Sequence, residues 1–243
     1  MLKESEINTM NYSLTPVGHI QSPFKEKFAV PRQPGLAPSA TASIALCGEA
    51  NQDDAVRGLE QFSHIWLLFL FDQNLAKGWT PTVRPPRLGG NERVGVFASR
   101  ATFRPNGVGM SVVPITGIRK IGRQVIIDIG SCDLVDGTPV VDIKPYIPYS
   151  DSITEAKGGY AAEIPDTLEV TFSDDARNLL LKQNDGAHKI QVIQEVLAQD
   201  PRPAYKKGKS DDKEYAVHLF DLNIKFTVDE PLITVSTIEA FGD

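Results

Sequence analysis

The sequence predicts a mainly β fold, a barrel or a sandwich, followed by a smaller region that contains helices. Short apolar runs separated by turn-forming residues fill the chain up to about residue 150, a spacing typical of barrels and sandwiches. Apolar residues at helical spacing dominate only after Asp151. The 243 residues, 41% hydrophobic and 23% charged, have a globular composition, which excludes a disordered chain and a coiled coil.

The strands of the first region are predicted from its apolar runs. The run 62–71 is almost entirely apolar and indicates a strand buried on both faces, because no polar stripe is left for a surface helix. A short helix is expected at 53–59 and a loop rich in Pro and Gly at 77–90. The other predicted strands are 14–20, 40–46, 94–98, 111–118, 124–129 and 140–143.

The second region begins where the sequence becomes linker-like, at 151–165, so the predicted domains are 1–155 and 156–243. Ser173, followed by two aspartates, is typical of a helix N-terminus and predicts a helix at 176–182. The remaining predicted elements are a helix at 190–198 and two strands at 215–226 and 232–238.

Several function classes are excluded by motifs that the sequence lacks. It contains neither G-x-G-x-x-G nor G-x-x-x-x-G-K-[ST], so the common dinucleotide and triphosphate cradles are missing, and there is no G-x-S-x-G nucleophile elbow. The four histidines do not have zinc-ligand spacing, so no metal site is expected. A net charge of −6 argues against indiscriminate nucleic-acid binding but permits a local basic surface.

The expected location is the cytoplasm. The longest apolar run, at 65–71, is far shorter than the ~20 residues that span a bilayer, and the first thirty residues lack the apolar core of a secretory signal. The two cysteines, Cys47 and Cys132, are too few for a disulfide framework, which agrees with a reduced compartment.

Two kinds of charged segment are candidates for ligand binding. Between residues 84 and 104 the chain has five arginines against one acidic residue, and arginine suits phosphates and carboxylates because its planar fork donates in pairs. The alternative is that these arginines pair with the protein's own acids. Asp142 lies in an apolar strand, where a carboxylate must be paired or face a cavity. The turn 133–139 alone would be an ordinary hairpin turn.

Six segments, taken together and in order, resemble the TsaA-like family over about residues 14–225. The segments are 31–35 (PRQPG), 62–66 (FSHIW), 84–90 (RPPRLGG), 103–106 with 109–111 (FRPN and GMS), 133–139 (DLVDGTP) and 200–208 (DPRPAYKKG).

The resemblance implies a single-sheet β-barrel core with a smaller α+β C-terminal domain, and a homodimer. It implies S-adenosylmethionine as the cofactor and tRNA as the substrate. The implied reaction is methylation of N6 of threonylcarbamoyl-adenosine, next to the anticodon of threonine tRNA. Because fold and family do not by themselves establish a function, the residues of the site must make chemical sense.

The family pattern implies a set of cofactor-contacting residues that suits a sulfonium cation, a ribose diol and an amino-acid tail. Carboxylates can accept from the ammonium or the hydroxyls, an arginine can bind the carboxylate, and apolar side chains can pack on the adenine. The implied residues are Pro34, Gly35, Leu36, Asp72, Gln73, Arg100, Met110, Asp133, Leu134, Val135 and Asp136.

The reacting nitrogen carries a proton and a delocalised lone pair, so a general base or a strong ground-state desolvation is expected. Asp142 is the first candidate for a base, with Asp136 or Tyr146 as alternatives. The substrate's threonyl carboxylate also needs a cation, for which Arg104 or Lys144 are candidates. Two other functions stay open: a non-catalytic barrel that binds RNA or an anionic metabolite, and a hydrolase using His64. The residues expected to bind tRNA are Arg84, Arg87, Arg104, Arg202, Lys206 and Lys207.

Overall fold

The structure is a computed structural model, which describes residues 11–241. Residues 1–10 and 242–243, the outer ends of the two predicted domains, lie outside the described residues.

The first part of the chain is a β-barrel with three short helices on its connections. The helices are α1 (Asp53–Val56), α2 (Asp72–Leu75) and α3 (Pro148–Asp151). The strands are β1 (Gly18–Gln21), β2 (Thr41–Leu46), β3 (His64–Leu70), β4 (Thr82–Val83), β5 (Val94–Gly95), β6 (Val108–Ile121), β7 (Gln124–Ser131) and β8 (Pro139–Pro145).

Six strands close into one barrel in the order β1-β2-β7-β6-β3-β8, with β8 pairing back to β1. Every neighbouring pair is antiparallel. The single closed sheet confirms the predicted fold class and decides between a barrel and a sandwich. Strands β4 and β5 pair only with each other, inside the long β3–β6 connection, and the predicted strand 94–98 turns into a 3₁₀ helix at Val96–Ala98.

The central strand β3 buries one face and not both. Ile65, Leu67 and Phe69 point into the barrel with at most 3% exposure, and each contributes about 1.5–3 kcal/mol by its burial. The alternate residues Trp66 and Leu68 are half-buried on the outer face. The expectation of a strand buried on both faces is therefore wrong, because a barrel strand has one inner and one outer face.

A glycine at the start of β6 allows two aromatic rings to pack at one end of the barrel. A Cβ on Gly109 would lie 2.4 Å from the Phe69 ring and 2.9 Å from the Phe71 ring. These rings meet edge to face, with centroids 5.2 Å apart. Any side chain at position 109 would displace them, so this glycine is required for packing.

The second part of the chain is a four-stranded sheet covered by two helices. Its sheet order is β10-β11-β12-β9, with β9 parallel to β12 and the other pairs antiparallel. Ser173 caps α4 as predicted, since its side chain accepts from the N–H of Ala176 at 3.2 Å. The elements are β9 (Glu169–Phe172), α4 (Asp174–Leu181), α5 (Gly186–Ala198), β10 (Asp211–Leu219), β11 (Leu222–Asp229) and β12 (Leu232–Ala240).

The segment 215–226, predicted as one strand, is a hairpin. The chain turns at Phe220 and Asp221, and Phe220 has a φ of 58°, an uncommon value for a residue with a bulky side chain. Such turns are usually marked by Gly or Asn, which this segment lacks at the turn. The barrel stabilises the turn instead, because the N–H of Phe220 donates to the carbonyl of Pro23 at 2.7 Å.

The β1–β2 connection, residues 22–40, joins the barrel to the second part. Phe24 is fully buried and forms a β-bridge with Leu219. Further along this connection, both the N–H and the hydroxyl of Ser39 donate to the Glu195 carboxylate at 2.7 Å. The connection therefore lies between the barrel end and the helical part of the C-terminal region.

Candidate functional site

Three barrel connections leave the same end of the barrel and approach one another there: residues 22–40, 71–107 and 132–138. The N–H of Gly35 donates to the hydroxyl of Ser131 at 3.2 Å, which joins the first connection to the end of β7. Arg100, from the second connection, hydrogen-bonds the Gln33 side chain. The structure thus places the 33–36 segment, Arg100 and the start of the 132–138 turn together.

Asp133 is the carboxylate at this meeting point. Its Oδ1 accepts from the hydroxyl of Ser111 at 2.7 Å. Burial raises the pKa of Asp133, while the Ser111 hydrogen bond and the charge of Arg100 oppose this rise. The carboxylate and the guanidinium are therefore close enough to interact, as a site for a zwitterionic ligand requires.

Asp136 has a different role within the same acidic turn, because it holds the β1–β2 connection in place. Its carboxylate accepts from the N–H of Ser22 at 3.0 Å and from Lys25 Nζ at 2.7 Å. Its own N–H donates to the carbonyl of Phe24 at 2.8 Å. Between the two aspartates, Leu134 is buried, and its carbonyl accepts from the Ser22 hydroxyl at 2.9 Å.

The apolar candidates lie around this meeting point with part of their surface accessible. Pro34 and Leu36 are half-buried, and Met110 is 53% exposed beside Ser111. Gly35 is exposed and has a φ of 83°, and a Cβ placed there would contact nothing within 4 Å. Its conformation requires glycine, and the open space beside it is available for a ligand.

Asp72 and Gln73 are exposed on α2, and within residues 11–241 no hydrogen bond joins either of them to the other predicted cofactor residues. Their neighbour Asn74 is buried and was not predicted. Its side chain bonds both Lys27 and Thr102, and so links the 22–40 and 71–107 connections. An asparagine after an apolar strand gives no sequence signal for such a linking role.

Asp142 lies on the outer face of the barrel and not in a cavity. It pairs across β8 and β3 with Leu68, which in turn pairs with Met110, so these three side chains form one row across the outer face. Its carboxylate is 46% exposed and forms an ion pair with Lys144 at 3.0 Å. Of the two settings expected for this carboxylate, pairing is the one observed, because the outer face of a barrel strand is open to water.

Tyr146 lies at the opposite end of β3 from the acidic turn. Its N–H donates to the carbonyl of His64, and its ring is 5.9 Å from that of Trp66. Four residues of strand, or ~13 Å, separate His64 from the row that contains Asp142. His64 itself is half-buried on the outer face, with Nδ1 2.9 Å from the Ser63 hydroxyl. The three candidate bases therefore do not converge within one chain.

The arginines between 84 and 104 form no salt bridge with any carboxylate of the described chain, which disfavours the internal-pairing alternative. Arg84 and Arg87 are exposed, and Arg87 donates to the carbonyl of Glu163. Arg104 Nη1 donates to the carbonyls of Ser99 and Ala101 at 3.0 and 3.4 Å. The contacts of Arg87 and Arg104 are therefore with neutral backbone acceptors and not with carboxylates.

The structure corrects the prediction that Arg202 contacts tRNA. Its side chain is fully buried, and it donates to both oxygens of Asp200, at 2.8 and 2.9 Å, and to Glu230 at 2.6 Å. Within the same segment, Lys206 pairs with Asp211 at 2.8 Å, whereas the Lys207 side chain donates to the backbone carbonyl of Gln199 at 3.1 Å. A fully buried guanidinium cannot reach a phosphate, so Arg202 organises the segment.

Two cavities lie near these connections. One of about 170 Å³ opens beside α2 and includes Arg104 in its wall. The other, of about 590 Å³, lies between the barrel and the C-terminal region, and its wall includes Asp136 and Lys25. Within residues 11–241, no group of three or more His, Cys, Asp and Glu residues is placed to hold a metal ion. No helix in that range is long and apolar enough to cross a membrane.

The fold and these contacts together define a class of protein: a closed antiparallel barrel whose end loops bring together an arginine, a carboxylate and an open glycine segment. Comparison with known proteins gives the family. Residues 19–152 match the model of the tRNA-methyltransferase O N-terminal domain, and residues 165–241 match that of the TrmO C-terminal domain. The chain belongs to the tRNA-methyltransferase O family, which confirms the resemblance in its sequence motifs.

Curated relatives match along almost the whole chain. The tRNA (adenine(37)-N6)-methyltransferase of Escherichia coli (strain K12) is 50% identical over 231 residues, which are 94% of this chain and 98% of that protein. The "Putative S-adenosylmethionine-dependent methyltransferase RcsF" of Pseudomonas aeruginosa is 46% identical over 237 residues, covering 96% of this chain and 100% of that protein. A crystal structure of TrmO superimposes with a TM-score of 0.78 at 40% identity, covering 95% of this chain and 100% of that one.

Proposed function

We propose that the protein transfers a methyl group from S-adenosylmethionine to N6 of threonylcarbamoyl-adenosine next to the anticodon of threonine tRNA. The observation that carries the proposal is the assembly of the 33–36 segment, Arg100 and Asp133 at one end of the barrel, in a chain of which 95% superimposes on a TrmO structure. The names of the relatives also disfavour the non-catalytic alternative and the His64 hydrolase.

The residues at the barrel end fit the proposed cofactor by their chemistry. Asp133 accepts a hydrogen bond from the Ser111 hydroxyl through one oxygen, and it offers the carboxylate that an ammonium group or ribose hydroxyls require. Arg100 offers the cation for a carboxylate, while Leu36 and Met110 offer apolar surface for the adenine. S-adenosylmethionine supplies an electrophilic methyl group on a sulfonium centre. The contribution of the chain is to orient this donor and to exclude water around it.

Other predicted cofactor residues have supporting roles in the proposal. Pro34 and Gly35 give the segment its open turn, and Asp136 and Leu134 hold the 22–40 connection against the acidic turn. Val135 contributes through its backbone carbonyl, which accepts from the Thr138 hydroxyl at 2.6 Å. Asp72 and Gln73 are proposed to contact the donor from α2, which Asn74 ties to the other connections.

Asp142 is proposed as the base that removes the N6 proton, since it shares the outer-face row with Met110. Asp136 is already occupied by Lys25 and Ser22, and Tyr146 is at the opposite end of β3. General-base catalysis typically contributes 10²–10⁴-fold, so Asp142→Asn should slow single-turnover methyl transfer by at least ~10²-fold. Asp128→Asn, which removes an outer-face carboxylate paired with Arg119, is the matched control. Full single-turnover activity of Asp142→Asn rejects this assignment.

A homodimer is proposed because the outer surface near Met110 is unusually apolar. Phe97 is 78% exposed, Trp79 and Met110 are both 53% exposed, and Phe103 is 38% exposed. Apolar surface of this extent is typical of an interface, and a second copy of the chain is the proposed partner. Such a partner would cover the row that contains Asp142 and exclude water from it.

The cytoplasm is the proposed location.

The proposed division of labour assigns methyl transfer to residues 1–155 and tRNA contact mainly to residues 156–243, with Arg84, Arg87 and Arg104 contributing from the barrel. Lys206 and Lys207 are the proposed phosphate contacts of the C-terminal domain. Neutralising these charges should weaken tRNA binding and its salt dependence while leaving cofactor affinity unchanged.

The direct test is mass spectrometry of nucleosides from threonine tRNA before and after incubation with the protein and S-adenosylmethionine. The proposal expects a gain of one methyl group on threonylcarbamoyl-adenosine and no change in tRNA that lacks this modification. Absence of methylation of the modified tRNA by folded, cofactor-binding protein would contradict it.

A further inference from the structure

Three segments from different parts of the chain meet at the junction of the barrel end and the C-terminal region. The side chain of Gln199 donates to the carbonyl of Leu36 at 3.2 Å. A Cβ placed on Gly90 would lie 3.8 Å from the Cβ of Ala204. The segments 31–36, 86–90 and 199–207 are therefore adjacent, although up to 176 positions separate them in the sequence.

Each of these segments brings a cation to the junction, and we call Arg32, Arg87 and Lys207 the junction cluster. No carboxylate of the described chain forms a salt bridge with any of the three. Arg87 donates to the carbonyl of Glu163, and Lys207 to the carbonyl of Gln199, so two of the side chains are positioned by neutral backbone acceptors and not by carboxylates.

Arg32 lies close enough to both Arg87 and Lys207 for their like charges to interact. Partial burial lowers the pKa of Arg32, and the charge of Arg87 lowers it further. For Lys207, burial again lowers the pKa most, and the charges of Arg32 and Arg202 act in the same direction. Like charges that lie close together without a compensating carboxylate destabilise the free protein. An anion bound among them would relieve the repulsion.

The nearest acids do not neutralise the cluster. The charges of Asp200 and Glu230 oppose the lowering of the Lys207 pKa, yet both carboxylates accept hydrogen bonds from the buried Arg202. The charged groups at the junction are four cations and two carboxylates: Arg32, Arg87, Lys207 and Arg202, with Asp200 and Glu230. They leave an excess of two positive charges. The neighbouring Lys206 differs, because its partner is Asp211.

We propose that the junction cluster of Arg32, Arg87 and Lys207 is an anion site that binds one oxyanion of the RNA substrate. The proposal rests on the proposed function for the identity of the RNA. The oxyanion has two sources in that substrate, a backbone phosphate and the carboxylate of the threonylcarbamoyl group. Of the two residues first considered for that carboxylate, Lys144 pairs with Asp142 at 3.0 Å, whereas Arg104 lines the cavity beside α2.

The test measures the affinity of tRNA for the full-length protein at several salt concentrations. The variants are Arg87→Gln, Lys207→Gln and the double variant; Arg32 is left unchanged because it adjoins the 33–36 segment. The control is Arg123→Gln, which removes an exposed arginine from the β6–β7 turn at the opposite end of the barrel. Each variant is compared on threonine tRNA with and without the threonylcarbamoyl group, and cofactor affinity is measured in parallel to verify folding.

The double variant should lose roughly tenfold or more in tRNA affinity, as expected for charge-assisted contacts. An equal loss on both tRNAs, with a salt slope reduced by about 1 per cation, supports the anion site and identifies a phosphate. A loss confined to the modified tRNA supports the site and identifies the carboxylate. A loss no larger than that of Arg123→Gln on both tRNAs overturns the inference. Because only binding is measured, failure of the wild-type protein to methylate tRNA would be seen separately.

Discussion

The acidic turn at 133–138 and the basic segment at 199–209 are organised in the same way with opposite charges. In each, one charged side chain holds the surrounding loop, and another forms no salt bridge within the described chain. Asp136 binds Ser22 and Lys25, while Asp133 faces Arg100. Arg202 binds Asp200 and Glu230, while Lys207 is left without a carboxylate partner in the described chain.

The two loop-holding residues differ in burial, and this decides how much each contributes to stability. The Arg202 side chain is 0% exposed, whereas that of Asp136 is 36% exposed. Water can solvate Asp136 and its partners if their contacts are lost, but the carboxylates around Arg202 would be left with little solvent. Similar hydrogen-bonding patterns therefore predict unequal costs on mutation.

The largest effect is expected for Arg202→Met. Removing the guanidinium leaves Asp200 and Glu230 as uncompensated carboxylates, so the free energy of unfolding should fall by about 3–5 kcal/mol in a urea titration. Lys225→Met breaks an exposed pair with Glu239 and should cost less than about 1 kcal/mol. Equal costs for the two variants would show that the Arg202 network does not have the role assigned to it.

The next effect is expected for Gly109→Ala, two residues before the Ser111 that positions Asp133. The added methyl would meet the Phe69 and Phe71 rings, so we expect a loss of about 1–3 kcal/mol in the free energy of unfolding. Gly95→Ala is the matched control, since a Cβ there meets nothing within 4 Å and its φ of −59° suits alanine. A loss for Gly95→Ala as large as that for Gly109→Ala would contradict the packing explanation.

A smaller effect is expected for Asp136→Ala. It removes the acceptor for the Ser22 N–H and the partner of Lys25, and urea unfolding should show a loss of about 1–2 kcal/mol. Asp142→Ala removes an ion pair of similar exposure that anchors no distant loop, so its cost should stay below about 0.5 kcal/mol. If Asp142→Ala is the more costly variant, Asp136 does not hold the β1–β2 connection.

The smallest effects are in the pH dependence of stability, and the two regions should show opposite signs. Burial raises the pKa of Asp133 above its usual value of 3.8. The stability that Asp133 contributes is therefore fully present below pH 3.8 and is lost as pH rises through the raised pKa. The hydrogen bond from Lys206 lowers the pKa of Asp211, so its contribution is present above 3.8 and is lost as pH falls through the lowered pKa.

Urea titrations between pH 3 and pH 7 measure these contributions as differences between the wild-type protein and its Asp→Asn variants. The free energy of unfolding of the wild-type protein minus that of Asp133→Asn should decrease with rising pH. The same difference for Asp211→Asn should increase. Differences that change in the same direction for both variants would contradict the comparison between the two regions.

Much of the fold could be predicted because apolar runs and turn residues carry it directly. The positions of β2, β7 and α4 agree with the sequence to within a few residues. The turn at Phe220 could not be predicted, because a contact with Pro23 stabilises it and no local turn residue marks it. The half-buried outer face of β3 was missed because an apolar outer face and a buried one have the same composition.

The charged segments of the site could be identified from the sequence, but the role of each charge within them could not. Composition marks Arg202 and Lys207 alike as basic residues beside a tyrosine, and only the fold shows that one is buried against two carboxylates. In the same way, Asp142 was expected to be paired or to face a cavity, and only the fold shows that it pairs with Lys144 on the outer barrel face. Which side chain is paired depends on residues far away in the sequence.

The central claim is that Arg100 and Asp133, brought together at the barrel end, bind S-adenosylmethionine. Equilibrium titration of the cofactor into the wild-type protein and the Arg100→Gln variant tests it most directly, with Arg93→Gln as a control for charge in the same connection. The account predicts binding to the wild-type protein, at least roughly tenfold weaker binding to Arg100→Gln, and unchanged binding to Arg93→Gln. Equal affinity of the wild-type protein and Arg100→Gln, or no binding to the wild-type protein, would contradict it.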